Sequence, residues 1–499
     1  MHALRPLLAA LIVALPAAAP AETALTVYSS ARPGTLNPQS FRNGGEGQAV
    51  PGYALVRDDR TFNLKTGRNL LRVTDVPALI DPTTVSFASL TDPKGTRVVE
   101  QSFEFDLTST SKLLSRFLDR EISVDQVRGA SVEAVGGTLV GTQGGLILKQ
   151  PDGSIRVVEQ HAGIKLPSLP GGLISKPTLV WDIDTQSAGS HKARMAYQTG
   201  GMTWWTDYNL TYSEAPNQAC KLDVGAWVTL VNQSGATYTD AKLKLIAGDV
   251  QRAEPPLRYP AAAPAQALRA EMKAADGFAE KAFFEYHLYT LGRPTTLPDN
   301  STKQIELFPL APGVGCEKTL VYYGLGSRYP VYGSPMMDRN FGVQSNKKVD
   351  VYLRFRNAKA NGLGVPLPAG RLRVSKLDTA DNSLEFIGED LIDHTARDEM
   401  VQVKLGSAFD VVGERKQLDF RIDTTAKWIE EDIEVRVRNQ KPDETVTVIV
   451  KENLYRWSNW SITKKSHEFT KEDSRTVHFP VRLAPKAEGV VRYTVRYTW

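Results

Sequence analysis

The chain has 499 residues, 41% of them hydrophobic and 23% charged, with a formal net charge of +4. These values lie near ordinary globular usage and exclude collagen-like, coiled-coil and wholly disordered chains. A basic surplus this small and this spread gives no sign of a nucleic-acid partner.

Met1 to Ala21 has the three zones of a secretory leader: Arg5 near the start, an apolar run from Leu7 to Leu15, and Ala19-Pro20-Ala21 as small residues before Glu22. Cleavage is expected near Ala21. The stretch from Pro6 to Ala21 has 16 residues, short for a membrane-spanning helix, and contains three prolines, Pro6, Pro16 and Pro20. No other uncharged apolar run approaches 18 residues, so no transmembrane span is expected after cleavage. The expected location is periplasmic or secreted.

From Glu22 onward period-2 alternation dominates. Residues 22–124 read as a first β domain, with Tyr53-Ala54-Leu55-Val56 and Asn69-Leu70-Leu71-Arg72-Val73 as strand segments. Ser109 to Glu121 carries the best helical stripe, Leu113, Leu114, Phe117 and Leu118, with Ser and Thr available as N-caps. Residues 125–167 hold closely spaced short strands with a Pro151-Asp152-Gly153 turn. That size suits a small five-stranded, SH3-like barrel. Ser168 to Gly172 reads as a linker.

A central β-sandwich follows over residues 168–346 and a C-terminal one over 347–499. The predicted class is mainly β, several immunoglobulin- or fibronectin-like sandwiches plus the small barrel and one short helix. The Ala- and Pro-rich stretch Ala261 to Ala275 suits a surface excursion. Three strands, Trp227 to Asn232, Val351 to Asn357 and Ile433 to Asn439, close on Asn before a polar turn. Asn bonds local backbone readily at such ends, and the echo points to related modules.

Cys220 and Cys316 are the only cysteines. They form either one bridge or two separate buried thiols, and the oxidising compartment favours the bridge. No cysteine or histidine cluster has zinc spacing, and no cofactor is expected.

Longer motifs carry a resemblance. Pro177-Thr178-Leu179-Val180-Trp181 precedes Tyr197-Gln198-Thr199-Gly200-Gly201-Met202-Thr203-Trp204. Then come Tyr286-His287-Leu288-Tyr289, Leu297-Pro298-Asp299-Asn300-Ser301-Thr302-Lys303-Gln304, Ile392-Asp393-His394-Thr395, and Leu454-Tyr455-Arg456-Trp457-Ser458-Asn459-Trp460 before the closing Tyr497-Thr498-Trp499. Over roughly residues 170–499 the chain resembles the bacterial secreted family catalogued as domain of unknown function four-one-three-nine. The resemblance implies an exported, β-rich envelope protein and brings no catalytic residues or cofactor with it.

The densest polar cluster, Glu389, Asp390, Asp393, His394, Asp398 and Glu399, is the candidate for acid–base or metal chemistry. Its spacing matches neither an EF-hand nor HExxH, and a solvated loop explains it as well. No GxSxG, phosphate loop or dinucleotide fingerprint occurs. Two aromatic groups, Trp204 and Trp205 with Tyr208 and Tyr212, and Tyr455 with Trp457 and Trp460, are candidates for binding a glycan or an envelope protein. Trp204 and Trp205 are neighbours in a strand, so they face opposite sides.

The last strand, with Val491, Tyr493, Val495, Tyr497 and Trp499 alternating, also resembles the closing strand of an outer-membrane barrel. Charges and prolines throughout the chain argue against that alternative. The leading expectation is a non-enzymatic exported protein that binds or scaffolds at the envelope. The competing ones are a hydrolase or metal-dependent enzyme centred on Asp393 and His394, and a β protein of the outer membrane.

Overall fold

The structure is a computed structural model. It describes residues 22–29, 50–105, 108–129, 131–168, 174–214, 220–248, 250–251, 277–325, 333–343, 345–378 and 380–499. The expected leader, the stretch Ala261 to Ala275 and most of the Ser168 to Gly172 linker lie outside the described residues.

The chain is mainly β, in several separate sheets, with one short α-helix among the described residues. The first strands are β1 (Glu22–Tyr28), β2 (Tyr53–Leu64), β3 (Gly67–Val73), β4 (Ile80–Ser89) and β5 (Thr96–Glu104). After α1 (Thr110–Arg116) come β6 (Glu121–Arg128), β7 (Ser131–Gly141), β8 (Leu146–Lys149), β9 (Ile155–Val158) and β10 (His161–Lys165).

The middle of the chain holds β11 (Thr178–Thr185), β12 (Gly189–Gly200), β13 (Met202–Glu214), β14 (Cys220–Asn232) and β15 (Tyr238–Ala247). It continues with β16 (Phe278–Phe283), β17 (Tyr286–Leu291), β18 (Thr295–Leu297) and β19 (Ser301–Tyr323). Then follow β20 (Lys348–Arg356), β21 (Gly370–Leu377), β22 (Leu384–Ile392), β23 (Met400–Asp423) and β24 (Trp428–Asn439). The last are β25 (Val446–Asn453), β26 (Trp460–Lys465), β27 (Thr470–Lys471), β28 (Thr476–Leu483) and β29 (Glu488–Thr498).

Pairing crosses the expected boundary between the first and central domains. β2 pairs with β12, β1 lies parallel to β15, and β3 and β5 flank β11. Residues 22–104 therefore share sheets with residues 178–291. Local alternation reports each strand but not its distant partner.

The segment from α1 to β10 is an insertion between the paired strands β5 and β11. Ser109 caps α1 by accepting from the Lys112 N–H, and Leu114 and Phe117 pack on the core of the five-stranded sheet. That sheet runs β10-β6-β7-β8-β9 and its end strands do not pair. The closed small barrel expected over 125–167 is thus an open, curled sheet. The Arg156 side chain of β9 reaches across to Gln126 of β6 and Glu133 of β7 instead. With four residues each, β8 and β9 are too short to close a barrel.

Two strands organise the rest. β19 has 23 residues and β23 has 24. β19 pairs with β14 through Ser301 to Cys316 and then with β20 through Cys316 to Tyr322. β23 pairs with β20 through Met400 to Val412 and with β24 through Val411 to Asp423. Each long strand thus serves two consecutive units. The units are β14/β19, β20/β23 and β24/β29, and in each the strand after the turn runs parallel to an earlier strand: β15 to β1, β21 to β13, β25 to β19.

The three units share a corner. Asn232, Asn357 and Asn439 are buried at the ends of their strands. The Asn232 side-chain amide donates to the Ala236, Leu297 and Pro298 carbonyls. Asn357 donates to Val365 and Ala396, and Asn439 to Glu444 and Ala484. Each side-chain oxygen accepts a backbone N–H from its own turn, Ser234, Gly364 or Lys441. A left-handed residue, Asn300, Asp398 or Lys486, stands just before the return strand of each unit. The amide matches this task because it carries two donors and an acceptor.

The large core joins the sheet of β1, β2, β12 and β15 to the inner face of β13, β14 and β19. A second core fills the C-terminal unit, where Val491, Tyr493, Val495 and Tyr497 are buried. The closing apolar row therefore packs on the protein's own core. Among the described residues no helix is long and apolar enough to cross a membrane.

Candidate functional site

The disulfide Cys220–Cys316 is formed. It joins β14 to β19 at the point where β19 leaves β14 and takes up β20, since Cys316 also pairs with Phe355. The bridge locks a junction between two units.

Of the aromatic candidates, Trp204 and Trp205 are buried. Trp204 is fully buried in the large core, edge-on to Tyr289 at 6.2 Å. Trp205 faces the other way, as adjacent strand residues must. It too is buried, against Val50 and Val231, and its indole N–H donates to Asp207. β13 is covered on both faces at this point, so neither ring is available for stacking. Trp457 and Trp460 pack half-buried on the C-terminal core; Trp460 donates to the Ser474 carbonyl, and Lys471 lies over its ring at 4.4 Å.

The Asp393 and His394 region is a pinned loop. Asp393 and His394 are exposed, and the His394 Nδ1 accepts the Ala369 N–H. Glu399 contributes its carbonyl to the Asn357 N–H. Asp390 stands apart: one carboxylate oxygen accepts the Leu391 N–H and the other the Lys404 N–H at 2.7 Å. β22 and β23 do not pair as a ladder, so this carboxylate bridges the seam between them. Arg397 anchors the loop to Glu280 of β16, which also accepts from His287. Burial alone would raise the Glu280 carboxyl; His287 and Arg397 overrule it and hold the group below the usual range. Among the described residues no three His, Cys, Asp or Glu side chains are grouped to hold a metal.

A cleft of about 940 Å³ opens beside the Asn232 corner, between β2, β12, β15 and residues 174–177. At its base the Arg60 guanidinium spans two carboxylates, Asp58 (Nε at 2.7 Å) and Asp75 (2.6 Å). Desolvation would lower Arg60, but the bonds to Asp75 and Asp58 outweigh it and keep the cation firmly protonated. Thr23 donates to Asp58. Tyr197 and Tyr238 form the inner wall; burial raises both hydroxyls, Tyr238 to about 12. Hydroxyls of Thr61, Thr74, Ser175, Thr237 and Thr239 complete a neutral-to-acidic lining. This array can hold a polar ligand through hydrogen bonds.

The deepest charges lie in the C-terminal unit. Arg415 pairs with Glu452 at 2.8 Å, and Tyr493 donates to the same carboxylate. Arg456 pairs with Glu431 at 2.8 Å and donates to the Met336, Asp338 and Phe341 carbonyls. These cations tie residues 336–341 to the sheet. Among the described residues one oxygen of each carboxylate, Glu431 Oε2 and Glu452 Oε1, has no hydrogen-bond partner. Sequence reading missed both pairs: Arg456 stands in a run otherwise notable for Trp, whereas Glu431 carried a signal, since it falls in the apolar row of Ile429, Ile433, Val435 and Val437.

Sequence reading also passed over Asp207 and Trp227. Asp207 is buried and accepts from Trp205 and Thr229, with Arg373 at 3.3 Å. Trp227 is 40% exposed. Its signal was available, because it falls in the row of Lys221 and Asp223, opposite the apolar row of Leu222, Val224, Ala226 and Val228.

The chain matches no family model, no curated protein and no solved structure.

Proposed function

We propose that this is an exported envelope protein that acts by non-covalent binding on a rigid β frame. The carrying observation is the fusion of three asparagine-cornered units through β19 and β23. A ladder that continues from one unit to the next holds surface groups at fixed separation, which is what a binding scaffold requires. The disulfide at the first junction supports export, since such bridges persist in oxidising compartments. The leader-like Met1 to Ala21 and the resemblance to the secreted family four-one-three-nine support the same reading. The candidate acid–base groups support binding over catalysis: Asp390 and the His394 Nδ1 are engaged with backbone N–H groups.

Expression in a Gram-negative host, with fractionation and mass spectrometry of the mature chain, tests this reading. The expected product is periplasmic, begins near Glu22 and carries no alkylatable thiol. A full-length, reduced, cytosolic product would overturn it.

A further inference from the structure

The outer face of β21, β13, β14 and β19 carries a second feature. Register places Arg371, Asp207, Trp227 and Glu306 in one cross-strand row. The adjoining row holds Glu389, Arg373, Asn209 and Gly225. Rows two residues apart on a strand lie about 7 Å from each other. Trp227 therefore borders a part of the face where Gly225 carries no side chain and Asn209 is small, with the exposed Leu310 at its edge.

We infer that this face binds an uncharged polysaccharide, with a pyranose ring stacked on Trp227 and its hydroxyls bonded by the planar polar groups around it. Four observations converge. Trp227 is the exposed member of a strand whose neighbours Ala226 and Val228 are buried, so its ring lies on the outer face, part open to water. The β14/β19 ladder breaks register between Leu222 and Val224, between Val224 and Ala226, and between Ala226 and Trp227. Bulges of this kind re-aim side chains and gather beside binding sites.

The polar groups are pre-set. Asp207 is fixed by Trp205, Thr229 and Arg373, and Arg373 also reaches Glu389 at 3.6 Å. Carboxylate and guanidinium planes so held recognise hydroxyl pairs with little ordering cost on binding. Finally, with Asp207 buried, Glu306 and Glu389 balance Arg371 and Arg373, so these rows carry no positive excess, which disfavours a polyanion. The weak negative face of the indole and its apolar area suit the C–H face of a sugar ring.

This assignment rests on the proposed function, since an exported protein meets such polymers. The test uses the full mature chain and three probes: chitin, an insoluble β-1,4-glucan, and heparin as the anionic control. Retention is expected on at least one neutral polymer and not on heparin. Trp227→Ala should weaken retention about ten-fold. Gly225→Leu should weaken it similarly by raising a branched side chain beside the Trp227 ring. An added Cβ there meets only Leu310 at 3.5 Å and the Asn209 carbonyl at 3.8 Å, so the strand accommodates it. Both variants should melt with the parent.

Absence of retention on either neutral polymer, or retention unchanged in both variants, overturns the assignment. So does a dimer that forms without glycan and dissociates in Trp227→Ala, which would give the face to a second copy. A chain that is periplasmic and oxidised yet retained by no polymer removes the glycan site alone. A cytosolic, reduced chain removes the proposed function itself.

Discussion

Asn232 and Asn439 occupy the same place in two units of the chain and do the same work. Each ends a strand, donates its amide to carbonyls of the turn and of the segment before the return strand, and accepts one N–H from its own turn. Asn357 repeats the arrangement between them.

Replacing Asn439 by Ala strands buried carbonyls without donors. The expected loss is about 2–4 kcal/mol, several unmade bonds at roughly 1 kcal/mol each plus desolvation. Asn439→Asp should be no better, because a carboxylate offers no donor to those carbonyls. Urea unfolding followed by tryptophan fluorescence reads both. A loss below about 0.5 kcal/mol would show the corner to be decorative.

Arg456→Ala leaves Glu431 charged and unpaired in the interior and frees the carbonyls of residues 336–341. An uncompensated buried charge typically costs about 3–5 kcal/mol. The double variant Arg456→Met/Glu431→Leu should recover part of that loss. Limited proteolysis should cut residues 333–343 in the single variant before global unfolding.

Glu280 sets an acid dependence. Its folded-state carboxyl is held low by His287 and Arg397, so its contribution is fully present above the unfolded carboxyl value of about 4.3 and is lost as pH falls through the lower folded value. Stability of the parent should therefore drop below about pH 4 more steeply than that of Glu280→Gln. Parallel acid slopes in the two proteins would reject the linkage.

Trp204→Ala and Trp205→Ala should each destabilise, the first by about 3–5 kcal/mol as a fully buried ring in a packed core. Trp227→Ala should stay within about 1 kcal/mol of the parent. Thermal melts of the three side by side separate core from surface aromatics.

Reduction of Cys220–Cys316 opens a loop of 96 residues, and the chain-entropy model gives up to about 4–5 kcal/mol for such a closure. Guanidinium unfolding with and without reductant measures it. The shift should vanish in the Cys220→Ala/Cys316→Ala variant.

Much of this fold was legible because it is local. The alternation in Val351 to Arg356 and in Val491 to Trp499 gives strands with the correct buried row. The Asn-terminated echo marks the repeated unit even though its spacing is irregular. What alternation cannot carry is partnership. β2 reads the same whether it pairs with β12 or with a neighbour in sequence, so the first domain boundary was misplaced. Trp205 illustrates a second limit. Adjacent rings must diverge, but whether the outward one meets water depends on Val50, far away in the chain. Asp390 illustrates a third: a carboxylate dense with acidic neighbours looks like chemistry until the Lys404 N–H is found on it.

The shared strands also constrain how such a chain could have grown. β19 and β23 each belong half to one unit and half to the next, so no breakpoint at a unit's edge leaves two intact sheets. A duplication that preserved the ladder had to copy from the middle of one long strand to the middle of the following one. A module copied in that way would be offset from the folded unit by half a strand.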